Sequence, residues 1–387
     1  MSHLVLSMCT YMDGKHESLI QFQSEFPNSV NQYAREKNLP LEGRIIRLVG
    51  CDDMSRKRGL YSNFPMYEIG EIVEEDAIFD RIGTIVQTGG IFLDKAVYSG
   101  TQVFNRPVSI DESKARDYMI AKMKGFYVPR TVLMPQASYS RFKAVDENRV
   151  DLDVDLEAAV RYVGGYPCYM KRAFGGGRAH VYKIKNKAEL YEIYQITRDF
   201  LMVLQENIDM DVYIRTFCFG SKVIHTSYNI DKPDGQKYGW PPVEFTEGDR
   251  MYLDKIMPAL CQELLTPFCT MEIAKSKKDG KWYFIDITNG CNFDMREGEL
   301  SSPIYKVAKQ TIIEELVNWT LQPRPMIVHT NLQEHVLRQQ LYRAVLKGQN
   351  PEYLLKFAKE IGMNLDQASF NEEQKRFADE YIKQYGN

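Results

Sequence analysis

The sequence predicts a mixed α/β fold, α+β in its larger part. Three observations carry the prediction. Two apolar runs of strand type, Leu4–Cys9 and Arg44–Val49, flank a polar stretch of helical character, Ser18–Lys37, and strand–helix–strand order marks a small α/β unit. From about residue 110, β-type runs arrive in neighbouring pairs with helices between them. From Ile304 onward the chain reads as mostly helical. These set the expected domains: an N-terminal α/β domain over 1–109, a larger domain over 110–325 and a helical C-terminal extension over 326–387.

Each element has its own warrant. Ala77–Arg81, a glycine-punctuated segment Gly83–Tyr98 and Gln102–Asn105 complete the first unit. Asp111–Lys124 reads as a helix ended by Gly125, and Asp155–Val163 as a helix closed by Gly164-Gly165. Tyr166–Arg172 and Ala179–Ile184 read as facing strands, followed by a helix at Lys187–Arg198. Leu201–Ile208, Val212–Phe219 and Lys222–Tyr228 read as strands. The polar, Pro- and Gly-rich Asp231–Arg250 reads as a mobile loop. A helix over Met251–Leu265 then leads into strands Thr270–Ala274 and Lys281–Ile287, joined by the turn-like K-S-K-K-D-G.

Composition excludes several classes. Hydrophobic residues at 44% and charged residues at 26% are ordinary globular values. A net charge of −3 gives no electrostatic case for nucleic acid or an anionic membrane as partner. No apolar run approaches the roughly 18 residues that span a bilayer, and the N-terminus lacks the basic region of a signal peptide. Seven scattered cysteines without a C-x-x-C pair point to reduced, buried thiols in a cytoplasm rather than to disulfides or structural zinc.

The chemistry begins at Lys171, in Y-M-K-R-A-F-G-G-G-R-A-H-V. Gly175, Gly176 and Gly177 fall between two strands, so a loop without side chains can lay its amides against phosphate oxygens, with an ammonium beside it. A flexible hairpin with an exposed lysine is the plain alternative. The spacing fits neither a Walker loop nor a protein kinase. L-M-V-L-Q-E-N-I-D is an apolar strand with a polar end, where Gln205, Glu206, Asn207 and Ile208 offer an edge to adenine and Asp209 or Asp211 a carboxylate to ribose. Arg215 is the one arginine on an otherwise apolar strand, which calls for an anionic partner or a surface ion pair. Glu272 and Asp286 lie on consecutive strands amid apolar residues; with an amide such as Asn289, such hard oxygen donors suit Mg²⁺ shared with phosphates.

Taken in order, these segments resemble the ATP-grasp superfamily of carboxylate–amine ligases over roughly residues 1–325. G-T-Q-V-F-N-R-P-V-S-I-D-E-S-K-A-R-D-Y resembles the exit from the family's pre-ATP-grasp domain, with Lys114 as a phosphate-reaching lysine. G-F-Y-V-P-R-T, the Lys171 segment, V-L-Q-E-N-I-D, Arg215, Glu272 and Asp286 follow at family-like spacing. The resemblance implies ATP and Mg²⁺ as cofactors, an acylphosphate on a small-molecule or peptide carboxylate, and attack by an amine to give an amide or, with a hydroxyl, an ester. Lys171 and Arg215 are the expected catalytic groups. The family's closing Glu-x-Asn is here D-I-T-N, which leaves Thr288 and Asn289 as rival third ligands; a turn starting at Asn289-Gly290 would free Asn289 to serve. The family's second arginine is missing, with His225 or Lys232 as stand-ins. The end D-I-T-N-G-C-N-F loosely resembles ligases that crosslink ribosomal peptides. A nucleotide-binding scaffold or a phosphotransferase are the rival functions. Helix-spaced E-H-V-L-R-Q-Q-L-Y-R-A-V-L is expected to pack on the body or on a second subunit of a homodimer.

Overall fold

A computed structural model describes residues 3–11, 17–48, 75–81, 87–105, 113–136, 155–174, 180–197, 199–233, 236–239, 244–289, 302–328 and 332–363. Three four-stranded sheets organise them. The first is parallel, in the order β2 (Leu41–Leu48), β1 (Leu4–Tyr11), β3 (Ala77–Asp80), β4 (Gln102–Phe104). Helices α1 (Glu17–Glu36) and α2 (Gln87–Tyr98) make the crossovers that parallel pairing requires. Both faces of this sheet are covered. Leu4, Leu6 and Met8 pack with Phe22, Phe26 and Val30 of α1, whereas Cys9 and Ile78 pack with Leu93 and Val97 of α2.

The second sheet is antiparallel, in the order β5 (Thr131–Met134), β8 (Met202–Glu206), β6 (Cys168–Arg172), β7 (Val181–Ile184). Cys168, Met170, Met202 and Leu204 share a face against α4 (Leu156–Val163) and α5 (Lys187–Ile196). The two-residue period of a strand then sends Lys171 and Gln205 to the other face. Helix α4 is closed at both ends. Asp155 accepts from the Ala158 amide at 2.8 Å, and Gly164 takes φ 99° at the C-cap. A Cβ there would lie 2.3 Å from the Arg130 guanidinium.

The third sheet, also antiparallel, runs β10 (Lys222–Ser227), β9 (Met210–Phe219), β11 (Phe268–Ser276), β12 (Trp282–Asn289). Ile214, Met271 and Ile273 pack on α3 (Lys114–Met123) and α6 (Glu247–Glu263). A bulge between Glu272 and Ile273 shifts the register so that Asp286 sits directly opposite Glu272. Helix α7 (Pro303–Leu321) joins the first and third sheets in one core: Ile304, Ala308 and Leu316 touch the cluster that holds Leu6, Phe217 and Phe268.

The last described helices, α8 (Gln333–Lys347) and α9 (Glu352–Glu360), pack on each other through Leu337, Leu341, Leu354 and Ala358. Gln340 donates to Gln102 at 3.2 Å and Arg343 to the Glu75 carbonyl at 2.7 Å, so α8 covers the first sheet. Of the two places expected for this helix, the body holds it.

Two expectations shift. Helix α6 starts at Glu247, taking in the end of the expected loop, because Thr246 accepts from the Asp249 amide at 3.1 Å and returns its hydroxyl to that carboxylate at 2.9 Å. Strand β12 continues through Asn289, which pairs with Cys269, rather than ending by Thr288. No described helix is long and apolar enough to cross a membrane.

Candidate active site

Lys114 opens α3, and its backbone amide donates to the Ala173 carbonyl at 2.9 Å, which ties the helix start to the end of β6. Its ammonium reaches across to both carboxylate oxygens of Asp286, at 2.7 and 2.9 Å. Burial pushes the Lys114 ammonium down, but Asp286, with Glu272 and Asp117, outweighs it, so its pKa is raised. Lys171 is 8% exposed and donates to the Gln205 side-chain oxygen at 2.7 Å. Gln205 in turn donates to Thr131 at 3.1 Å. Burial lowers the pKa of Lys171, only partly offset by Asp286. The hydrogen-bond partner of this lysine is thus a neutral amide.

Arg215 completes the cluster from β9. Its guanidinium lies 3.2 Å from Glu272, donates to the Tyr238 hydroxyl at 2.6 Å and stacks on the Tyr228 ring at 4.5 Å. The Tyr213 hydroxyl donates to the second oxygen of Glu272. Burial, together with the Glu272 charge, raises the Tyr213 pKa well above its ordinary value, which keeps this donor protonated. Tyr118 is likewise held protonated by burial and by Asp286, and it donates to the Ile285 carbonyl at 2.5 Å.

Three cations and two carboxylates thus meet between the second and third sheets. Carboxylates directly opposite on adjacent strands repel, and here each is matched by a cation from another segment. Hard carboxylate oxygens paired in this way fit Mg²⁺, and the excess positive charge fits a polyphosphate.

Other expected residues lie elsewhere or outside the described residues. Gly175, Gly176 and Gly177 are outside them. Asn289 is described by its backbone alone, opposite Cys269. The Glu206 carboxylate takes a two-pronged bond from Arg130, at 2.8 and 3.1 Å. Asn207 and Ile208 are half-buried in the link from β8 to β9, and Asp211 is exposed. The idea that His225 stands in for an arginine is corrected. His225 pairs with Thr216 rather than Arg215 across β9 and β10, so its ring faces α6, bonding Thr216 at 2.8 Å and Asp254 at 2.9 Å. Lys232 is exposed.

Sequence reading missed Tyr213, Tyr228, Tyr238 and Tyr118. Tyr213 had a usable signal, since it lies two residues before Arg215 on one strand and so shares its face. Tyr238 had none, because only the fold returns its segment to β10.

The fold as a whole is similar to that of several solved structures. A D-alanine–D-alanine ligase from Coxiella burnetii matches with TM-score 0.58 and 11% identity, over 90% of this chain and 99% of that one. The Bacillus anthracis D-alanine–D-alanine ligase complexed with ATP matches with TM-score 0.54 and 12% identity, over 82% and 97%. The ATP-grasp ligase PsnB complexed with a minimal precursor matches with TM-score 0.54 and 14% identity, over 83% and 100%. The chain has the ATP-grasp fold. No protein-family model and no curated protein matches its sequence, so the likeness is one of fold. In ATP-grasp terms, the Lys114–Asp286 and Arg215–Glu272 pairs lie between the two sheets that follow the N-terminal one.

Proposed function

We propose that the chain is an ATP-dependent ligase that joins a carboxylate to an amine and releases ADP and phosphate. The observation that supports this reading is the convergence of Lys114, Lys171 and Arg215 on the Glu272–Asp286 carboxylate pair. Such a constellation neutralises polyphosphate charge and holds a hard divalent cation.

In this reading a substrate carboxylate oxygen attacks the γ-phosphorus, and the bond to the ADP oxygen breaks. Nitrogen of the amine then attacks the acylphosphate carbonyl, phosphate leaves with the electron pair, and the amine proton passes to solvent or phosphate. Lys114 and Lys171 hold the phosphates, and Arg215 neutralises the transferring group. Mg²⁺, held by Glu272, Asp286 and Asn289, would supply charge neutralisation on the phosphates. Thr288 is the alternative third ligand, and the alternation of a strand that runs through Asn289 gives it weight. The Gly175–Gly177 loop closes over the phosphates and excludes water. Gln205, Glu206, Asn207 and Ile208 frame adenine, and Asp211 meets ribose. The domains are 1–109, 110–325 and 326–387, the substrates small molecules or peptides, and the setting cytoplasmic.

The test is a mass-spectrometric screen of carboxylate and amine pairs, peptides included, with ATP and Mg²⁺. A product at the summed mass less one water, with stoichiometric ADP and phosphate, is expected. A stable phosphorylated product without free phosphate would make the chain a phosphotransferase, and nucleotide binding without turnover of any pair would make it a scaffold.

A further inference from the structure

Three cysteines on three separate elements meet behind the candidate ATP site. Cys218 near the end of β9, Cys261 in the last turn of α6 and Cys269 near the start of β11 have sulfurs all within 4.8 Å of one another. The Cys261 and Cys269 sulfurs are 3.5 Å apart. All three residues are fully buried, and none forms a disulfide. Cys218 and Cys269 are direct cross-strand partners. They share the face opposite Arg215 and Glu272, where Leu253, Met257 and Leu260 of α6 cover them.

We propose that Cys218, Cys261 and Cys269 form a buried thiolate site for a soft divalent cation of the zinc type, bracing α6 against the back of the ATP-site sheet. Thiolates about 2.3 Å from a tetrahedral ion stand about 3.8 Å from one another, and these sulfurs already approach that spacing without a backbone shift. Sulfur donors select zinc-type ions over magnesium, so the two metal sites on opposite faces of one sheet do not compete. Three thiolates leave one negative charge with a divalent ion and two with a monovalent one. An apolar surrounding favours the smaller residue of charge. The Thr266 hydroxyl, buried beside Cys269, offers a neutral fourth ligand. Thiols bind such an ion only after losing their protons, so binding displaces protons and is coupled to folding.

Spacing concealed this group. The three cysteines fall on separate elements, with none of the short C-x-x-C spacing by which zinc ligands are read from sequence.

The test is metal analysis of the untagged full chain, expressed with zinc, purified with reductant and dialysed against chelator. Roughly one zinc per chain is expected, falling at least tenfold in Cys261→Ser and unchanged in Cys168→Ser, a buried thiol in another cluster. Refolding the wild type in Cd²⁺ should give a sulfur-to-metal charge-transfer band in the ultraviolet, a readout that holds even if Cys261→Ser fails to fold. Mg·ATP binding by folded Cys261→Ser should persist, which separates this site from the proposed magnesium site. Zinc-free wild type with no Cd²⁺ band, zinc retained in Cys261→Ser, or a disulfide among the three in the native protein would each overturn the proposal.

Discussion

Lys171 is where chemistry and stability pull hardest against each other. Its ammonium is buried beside Gln205, with Lys114 nearby, and its pKa is lowered. The fold disfavours the charged form, so the destabilisation is present at neutral pH and is relieved only as pH rises toward the ordinary value of 10.5. Lys171→Met should therefore leave thermal stability at pH 7 equal to or above wild type in the absence of ATP. The same change should lower kcat by a factor of order 10² or more, about 3 kcal/mol of barrier. Melting curves and initial rates check both halves; wild-type turnover would remove Lys171 from the site. Asn289 and Thr288 divide in a second measurement. If Asn289 is the ligand, Asn289→Ala raises the Mg²⁺ needed for half-maximal activity well above what Thr288→Val does, and the reverse order assigns Thr288. At this scale the sequence was informative for charged residues on apolar strands. Lys171, Arg215, Glu272 and Asp286 stand out because burial of a charge demands a partner. The tyrosines that orient them look like core residues until the fold is known.

The element most exposed to test is α6. Its first turn is pinned by Asp249, whose carboxylate accepts from Lys275 and from the Trp282 ring nitrogen, each at 2.7 Å. Burial pushes this carboxyl up, but the bonds from Lys275, Trp282 and Thr246 outweigh it and hold the pKa below the ordinary 3.8. The stability it contributes is thus complete above pH 3.8 and is lost as pH falls through the depressed folded value. Asp249→Ala should destabilise by about 2 kcal/mol, since it removes the acceptor shared by Lys275, Trp282 and Thr246. Thr246→Ala should cost about 1 kcal/mol. Chemical denaturation at pH 7 and pH 3 checks the size and the acid loss. A second element-scale prediction lies in the β9–β10 turn, where Gly220 has φ +63° and a Cβ would fall 2.9 Å from the Trp319 ring. Gly220→Ala should destabilise by about 1 kcal/mol or more on backbone grounds alone. Strands were read closely because alternation is local. The start of α6 was missed because T-E-G-D, a capping sequence, sits inside a Pro- and Gly-rich run that reads as loop.

At the scale of the molecule, the order of strands and helices was legible, but the meeting of segments was not. Nothing in local pattern tells that α7 would weld the first and third sheets, that α8 would return to Gln102 and Glu75, or that three cysteines would converge. Those contacts depend on long-range packing, while periodicity reports only which face of each element is apolar. The cluster between the second and third sheets is proposed as a Mg·ATP site. Calorimetric titration with a non-hydrolysable ATP analogue tests it directly, in the wild type and in Lys171→Met and Asp286→Asn, with and without Mg²⁺. Tight, Mg²⁺-dependent binding by the wild type is expected, with at least tenfold weaker binding by both variants and loss of the Mg²⁺ dependence in Asp286→Asn. Equal affinity in all three proteins, or binding indifferent to Mg²⁺, would contradict it.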